Sequence, residues 1–252
     1  MGDVLAAVPA STPATPGGAW LRDHFATWSG EMAVGEDTPT LWAEARKRLM
    51  ALGGGEVGDT VHDNAVFLLN ALSNNGSDPA CAAAGFSSCA TFAAAALDGA
   101  AAAFSLGGGG QVKGGATPVP MWGVGIHKAL VAHQVLTGSP LSCLADREVG
   151  HGGEDFTVNV GGWKLGGRED LEQTHGASVR HVLDMRDGLV VGGGGDKNTS
   201  TTALSKWVLP GGQEGDLFSV DYDSMLSKWA GGEYVAMDRG MGTKDEIALS
   251  PA

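Results

Sequence analysis

Apolar and polar positions change period part-way along the chain. Between Trp20 and Leu52, the residues Leu41, Trp42, Ala45, Leu49 and Leu52 fall near helical spacing, which predicts a helix with one buried face. Asp37 or Thr38 can cap it, Pro39 suits its first turn, and the glycines from Gly53 onward end it. "VHDNAVFLLNALS" (61–73) reads as a second helix and a third is placed in "CATFAAAALDGAAAAFSLGGGG" (89–110), since alanine is the best helix former. "MWGVGIHKALVAHQVL" (121–136) fits either a short helix or an irregular segment. Beyond it, "DFTVNV" (155–160), "SVRHVLDM" (178–185), "GLVV" (188–191) and "KWVLP" (206–210) are short β-rich runs between Gly, Asp and Asn turn signals. A last helix is predicted around "YDSMLSKWAGG" (222–232).

The pattern implies an α+β fold, with a helical first half and antiparallel strands in the second half. Residues 1–19 read as a disordered Pro/Thr/Ala-rich leader, 20–106 as a helical region, 107–120 as a Gly/Pro linker and 121–252 as a β-rich C-terminal region, with no internal repeat.

With 252 residues, 43% hydrophobic and 18% charged, the chain can bury a sizeable core and is too apolar to be intrinsically disordered. Its 41 glycines, many in runs such as "LGGGGQVKGG" and "VGGGGDKNTS", predict mobile loops. Acidic residues outnumber basic ones 29 to 16, and the formal charge of −13 repels phosphate backbones and anionic lipid, so no nucleic-acid partner is expected. Asp98 and Gly99 interrupt the longest apolar run, so no membrane span is expected either. The N-terminus lacks the basic start and apolar core of a signal peptide, which leaves the compartment open. Cys81, Cys89 and Cys143 form no CxxC motif; Cys81 and Cys89 could bridge, but buried thiols are the preferred reading.

Composition and spacing nominate no reaction. His127 and His133 in "HKALVAH" lie six residues apart, which puts them on different faces of a helix and argues against a metal pair. "VVGGGGDKNTST" (190–201) fails the phosphate-loop spacing and reads as a hairpin tip. "LSNNGSDP" (72–79) reads as a helix end and turn, and no GxSxG elbow nominates a serine. Neither a cofactor nor a metal is expected.

Four ordered stretches resemble the C-terminal part of the β-subunit of penicillin acylases, the N-terminal-nucleophile amidohydrolases. "WGVGIH" with "AHQVLTGSPL" behind it is similar to the family's Trp-Gly, His and downstream His, here Trp122, Gly123, His127 and His133. "GHGGEDFTVNV" resembles its Gly-Gly, acidic, Thr-Val-Asn element through Gly153, Thr157 and Asn159. "QTHGASVRHVLDM" resembles its His-Gly-x-Ser-x-Arg strand, with His175, Gly176, Ser178 and Arg180. "LPGGQEGDLFSVDYDSMLSKWAGGEY" (209–234) resembles its closing segment, with Gly212, Gln213, Gly215, Tyr222, Trp229, Glu233 and Tyr234. Glu214 and Asp221 depart from the family's usual Ser and His.

The resemblance implies the C-terminal part of an αββα fold and hydrolysis of linear amides by acyl transfer to an N-terminal serine. That serine is expected upstream of the matched region. Ser73 in the only Ser-Asn-Asn follows Leu72 and precedes Asn74, Asn75 and Gly76, without the family's Gly-Ser junction, so no catalytic residue is expected in this chain. The implied partners are the α-subunit and the N-terminal part of the β-subunit, with a small amide as substrate. Without them the chain is expected to be inactive and poorly stable, or else to be a non-catalytic binding or partner subunit of the same fold. Glycines and aromatics in these motifs supply turns and packing more often than chemistry. Gly211, Gly212 and Gly215 are expected at turns closed to other residues, and Tyr222, Trp229 and Tyr234 as a clamp on the last segment. His175 and Arg180 are expected to satisfy buried carboxylates or carbonyls.

Overall fold

The computed structural model describes residues 5–12, 14–53, 79–132, 136, 139–155, 157–163, 173–183, 205–212 and 215–237. Within them the chain is α+β and divides into two compact units. One comprises Met1–Leu130 with Glu148–His175, the other Val131–Arg147 with Gly176–Ala252.

The first unit is built on helices. Helix α1 (Pro16–Phe25) starts where Thr15 caps it, accepting from the Gly18 amide at 3.1 Å, and Pro16 fills the first turn, where its missing N–H costs nothing. Helix α2 spans Thr38–Gly53, and α3 is the short segment Pro79–Ala83. Helix α4 (Cys89–Ala103) opens with a capping box in which Ser88 and Thr91 exchange side-chain and backbone bonds at 3.2 and 3.1 Å. α1 and α2 both pack on α4, whose alanines permit close approach. Asp98 of α4 accepts from the Thr15 amide and hydroxyl at 2.8 and 2.7 Å, tying the start of α1 to the middle of α4.

Several expectations change here. The segment read as a disordered leader is folded where it is described: Leu5 and Val8 are buried in the core, and its Thr15 and Pro16 start a helix. α2 does not bury a single face, because every residue from Thr38 to Arg46 is buried. Leu52, in its last turn, is exposed. Cys81 and Cys89 form a disulfide rather than two thiols: the α3–α4 turn brings their Cα atoms to 5.2 Å, within bridging range. Cys143 is free and exposed. The Gly/Pro stretch 107–120 lies inside the first unit, held by Gly107 N–H donating to Gln111 O (2.9 Å) and by Thr40 Oγ1 donating to Pro120 O (2.7 Å). The predicted helix 61–73 and the run 188–191 lie outside the described residues, as do the stretches 72–78 and 190–201.

After Pro120 the backbone is irregular, with a bridge between Trp122 and Ile126, and then enters strand β1 (Lys128–Val131). Helix α5 (Ser142–Ala145) precedes β2 (Arg147–Gly150), which pairs with β1, and β3 (Gly161–Trp163) pairs with β4 (Gln173–Gly176). The described residues of "DFTVNV" form no strand. The Thr157 hydroxyl bonds to the backbone of Glu154 and Asn159, which takes up those groups locally instead of leaving them free for a ladder.

The second unit holds an antiparallel sheet of β5 (Arg180–Leu183), β6 (Ser205–Val208) and β7 (Val235–Met237). Its register sets Arg180 opposite Val208 and Trp207 opposite both His181 and Val235. Helix α6 (Leu226–Ala230) contributes buried Leu226 and Trp229 beside buried Ala145, Val208 and Met225.

Candidate functional site

Six of the motif residues, Trp122, Gly123, His127, Gly153, Thr157 and Asn159, gather in the first unit around residues 151–155 and 157–161; Gly123 takes φ +67°, and a Cβ there would press on the His151 backbone. Trp122 is fully buried; its amide donates to Glu36 O at 2.8 Å, and its indole N–H donates to Gly153 O at 3.2 Å. Gly153 has φ +86°, and its amide donates to Met32 O at 2.7 Å. A Cβ there would overlap the Asn159 carbonyl oxygen, so glycine is required on both counts. Asn159 donates from Nδ2 to Gly152 O at 2.9 Å.

His127 is buried, sits at φ +56°, and stacks on Trp122 with ring centroids 4.0 Å apart and planes at 15°. Its Nδ1 lies 3.1 Å from His151 O and its Nε2 3.3 Å from Gly161 O. A neutral imidazole carries one N–H and can donate to only one of these carbonyls, whereas the imidazolium can serve both. Burial nevertheless holds the His127 pKa below its ordinary value, against the opposing pull of the two carbonyls and of Asp155. His151 is also fully buried, with its ring 5.8 Å from that of His127.

The same stretch holds an ion pair that the motif reading did not include. Arg46 of α2 donates from Nη1 to Glu154 Oε2 at 2.5 Å, and its Nη2 is 3.8 Å from Asp155. Burial raises the Glu154 pKa, and Arg46 opposes that shift. The signal for Arg46 was in the sequence: it follows Trp42 by four residues and precedes Leu49 by three, which puts a cation on an apolar stripe.

The second unit holds the other cluster. Arg180 is buried on β5, where its Nη2 donates to the Trp229 carbonyl and its guanidinium lies 5.1 Å from the Trp229 ring centroid and 5.8 Å from that of Tyr234. Burial lowers its pKa, and Tyr234 counteracts that. Trp229 in turn donates its indole N–H to Ala177 O at 3.0 Å. Gly176 and Ser178 are exposed. Tyr222 donates its hydroxyl to Ala145 O at 2.8 Å beneath the Arg147 guanidinium, and its carbonyl accepts from the Gly212 amide at 2.7 Å.

The "WAGGEY" tail is the C-terminal stop of α6. Gly232 takes φ +73°, its amide donates to Trp229 O at 3.3 Å, and the Glu233 amide reaches back to Lys228 O at 2.8 Å, the double bond pattern of a Schellman cap. Glu233 itself points to solvent. Of the three glycines expected to close turns, only Gly212 is sterically constrained, since a Cβ would overlap Asp221 O. Gly211 has ordinary contacts and Gly215 has open space around it. His133 and Gln213 lie outside the described residues, as does the side chain of His175.

Chemically, these side chains mostly hold backbone. The Thr157 hydroxyl is engaged by three backbone groups, with Glu154 N at 2.9 Å, Glu154 O at 3.0 Å and Asn159 O at 2.9 Å. Among the described residues, no group of three or more His, Cys, Asp or Glu side chains is placed to hold a metal ion, and no helix is long and apolar enough to cross a membrane.

The family model for penicillin amidase matches residues 3–242. The chain belongs to the penicillin amidase family. No curated protein matches it. The penicillin amidase match spans both motif clusters, the helices that precede them, and Arg46.

Proposed function

We propose that this chain is the C-terminal portion of a penicillin amidase-type hydrolase of αββα architecture that cleaves linear amides. In this reading the acyl group passes from the amine to the hydroxyl of an N-terminal serine and then to water. The free α-amine of that serine acts as its base, and hydrogen-bond donors hold the oxyanion. The serine comes from another part of the enzyme, contributed with the α-subunit and the N-terminal part of the β-subunit. The residues here shape and stabilise the body that carries it.

The observation that carries this reading is the family match over 3–242. The contacts of the motif residues agree with it, because Trp122, Asn159, Arg180, Tyr222 and Trp229 all direct their donors at backbone carbonyls. The experiment is the intact mass and N-terminal residue of the native protein, captured through the segment "GGEYVAMDRGMG", together with hydrolysis of a chromogenic anilide. A heavier enzyme whose captured chain begins with serine and which releases the amine supports the proposal. A chain of these 252 residues beginning at Met1 or Gly2 and releasing no amine replaces it with a non-catalytic partner subunit.

A further inference from the structure

We propose that the Cys81–Cys89 disulfide is a redox clasp that commits the helical unit to its fold, closed while the chain folds and shielded from reduction afterwards. Cys89 is the first residue of α4, the helix on which α1 and α2 pack, and Cys81 lies in α3, eight residues earlier. Both cysteines are buried in the core. The segment between them is folded onto the same helix end. The Phe86 amide donates to Cys81 O at 3.0 Å, the Phe86 ring meets Phe92 edge-on at 5.2 Å, and Ser88 caps α4. The bond therefore pins the start of the central helix, the part of a helix that is most costly to nucleate.

Closure follows thiol–disulfide exchange with a partner disulfide. The thiolate of one cysteine attacks that disulfide and releases one partner thiol, and the thiolate of the other then displaces the second partner thiol. Two protein thiols are oxidised and one partner disulfide is reduced to two thiols, so electrons and protons balance. Attack requires a thiolate in contact with the partner, and in the folded unit neither sulfur is accessible. Exchange must therefore precede burial, in a compartment that supplies disulfides. Cys143 is exposed and belongs to the other unit, which makes it an internal reference. The clasp does not depend on the proposed amidase activity.

The test is maleimide labelling of the full chain purified without reductant. Denatured protein should take one label, at Cys143, and three after reduction. Dithiothreitol applied to native protein should open the pair about 100-fold more slowly than in denaturant, because access requires opening of the core. The C81S/C89S double variant should lose about 5–10 °C in Tm or fail to form the helical unit. Three labels without reduction, equal reduction rates with and without denaturant, or a double variant with unchanged Tm would each overturn the clasp. The first two readouts use the unmodified chain and do not require the variant to fold.

Discussion

Arg46 and Glu154 are 108 residues apart in the chain and meet at 2.5 Å, with both side chains buried. Removing the cation strands a carboxylate in a desolvated site, so Arg46→Met should cost about 3–5 kcal/mol, whereas the double replacement R46M/E154L should recover most of it. Burial raises the Glu154 pKa, so its protonated form is the one favoured by folding. Stability from this group is present below its unfolded value and is lost as pH rises through the folded one. Without Arg46 the folded pKa should rise further. The Arg46→Met penalty should therefore be largest at neutral pH and shrink towards the acidic range, as read from urea midpoints by far-UV circular dichroism.

His127 should give the opposite pH dependence. Its pKa is lowered by burial, so the unfolded chain takes up a proton first as pH falls. The contribution is present above the ordinary value of 6.5 and is lost as pH drops through the depressed folded value. His127→Asn tolerates the positive φ but has no proton to gain. The difference in urea midpoint between wild type and variant should narrow on acidification. A difference that stays constant with pH would contradict the assignment.

Much of this was legible because it is local. The alanines of α4 announce that helix, and Arg180–Leu183 and Ser205–Val208 carry strand composition, whereas Thr15-Pro16, which starts α1, sits in a stretch whose Pro/Thr/Ala composition reads as leader. Contacts that decide against local pattern were not legible. Thr157 sits in a β-branched run, and the carbonyls of Glu154 and Asn159 converge on its hydroxyl. Leu5 and Val8 look like leader residues until the core around α1 covers them. The Cys81–Cys89 bond depends on the turn between α3 and α4, which spacing alone leaves open. Arg46 was readable as an oddity on an apolar stripe, but its partner Glu154 could be found only in three dimensions.

The glycines of the family motifs should separate sharply by substitution. Gly153→Ala must accommodate φ +86° and a Cβ directed at Asn159 O, and Gly212→Ala a Cβ directed at Asp221 O. Each should cost about 2 kcal/mol or more, since backbone must move. Gly215→Ala meets nothing and should stay within about 0.5 kcal/mol of wild type. Equal effects at the three positions, measured as chemical-denaturation midpoints, would remove the steric account.

Trp229 and Arg180 support one another in the second unit. The Trp229 ring carries the guanidinium, its carbonyl accepts from Arg180 Nη2, and its indole N–H holds Ala177 O just before β5. Trp229→Ala removes a buried ring and both ring-borne contacts and should cost about 3–5 kcal/mol. Trp229→Phe keeps most of the packing but leaves the Ala177 carbonyl without its donor, for about 1–2 kcal/mol. Arg180→Met keeps an apolar stem under Trp229 while giving up the bond to the Trp229 carbonyl and the contacts of the guanidinium with the Trp229 and Tyr234 rings, so it should cost less than Trp229→Ala. A double-mutant cycle between Arg180→Met and Trp229→Leu, which removes the ring and keeps the backbone carbonyl, should return a coupling of about 0.5–1 kcal/mol for the cation over the ring, and additivity within error would show that the two contacts act independently.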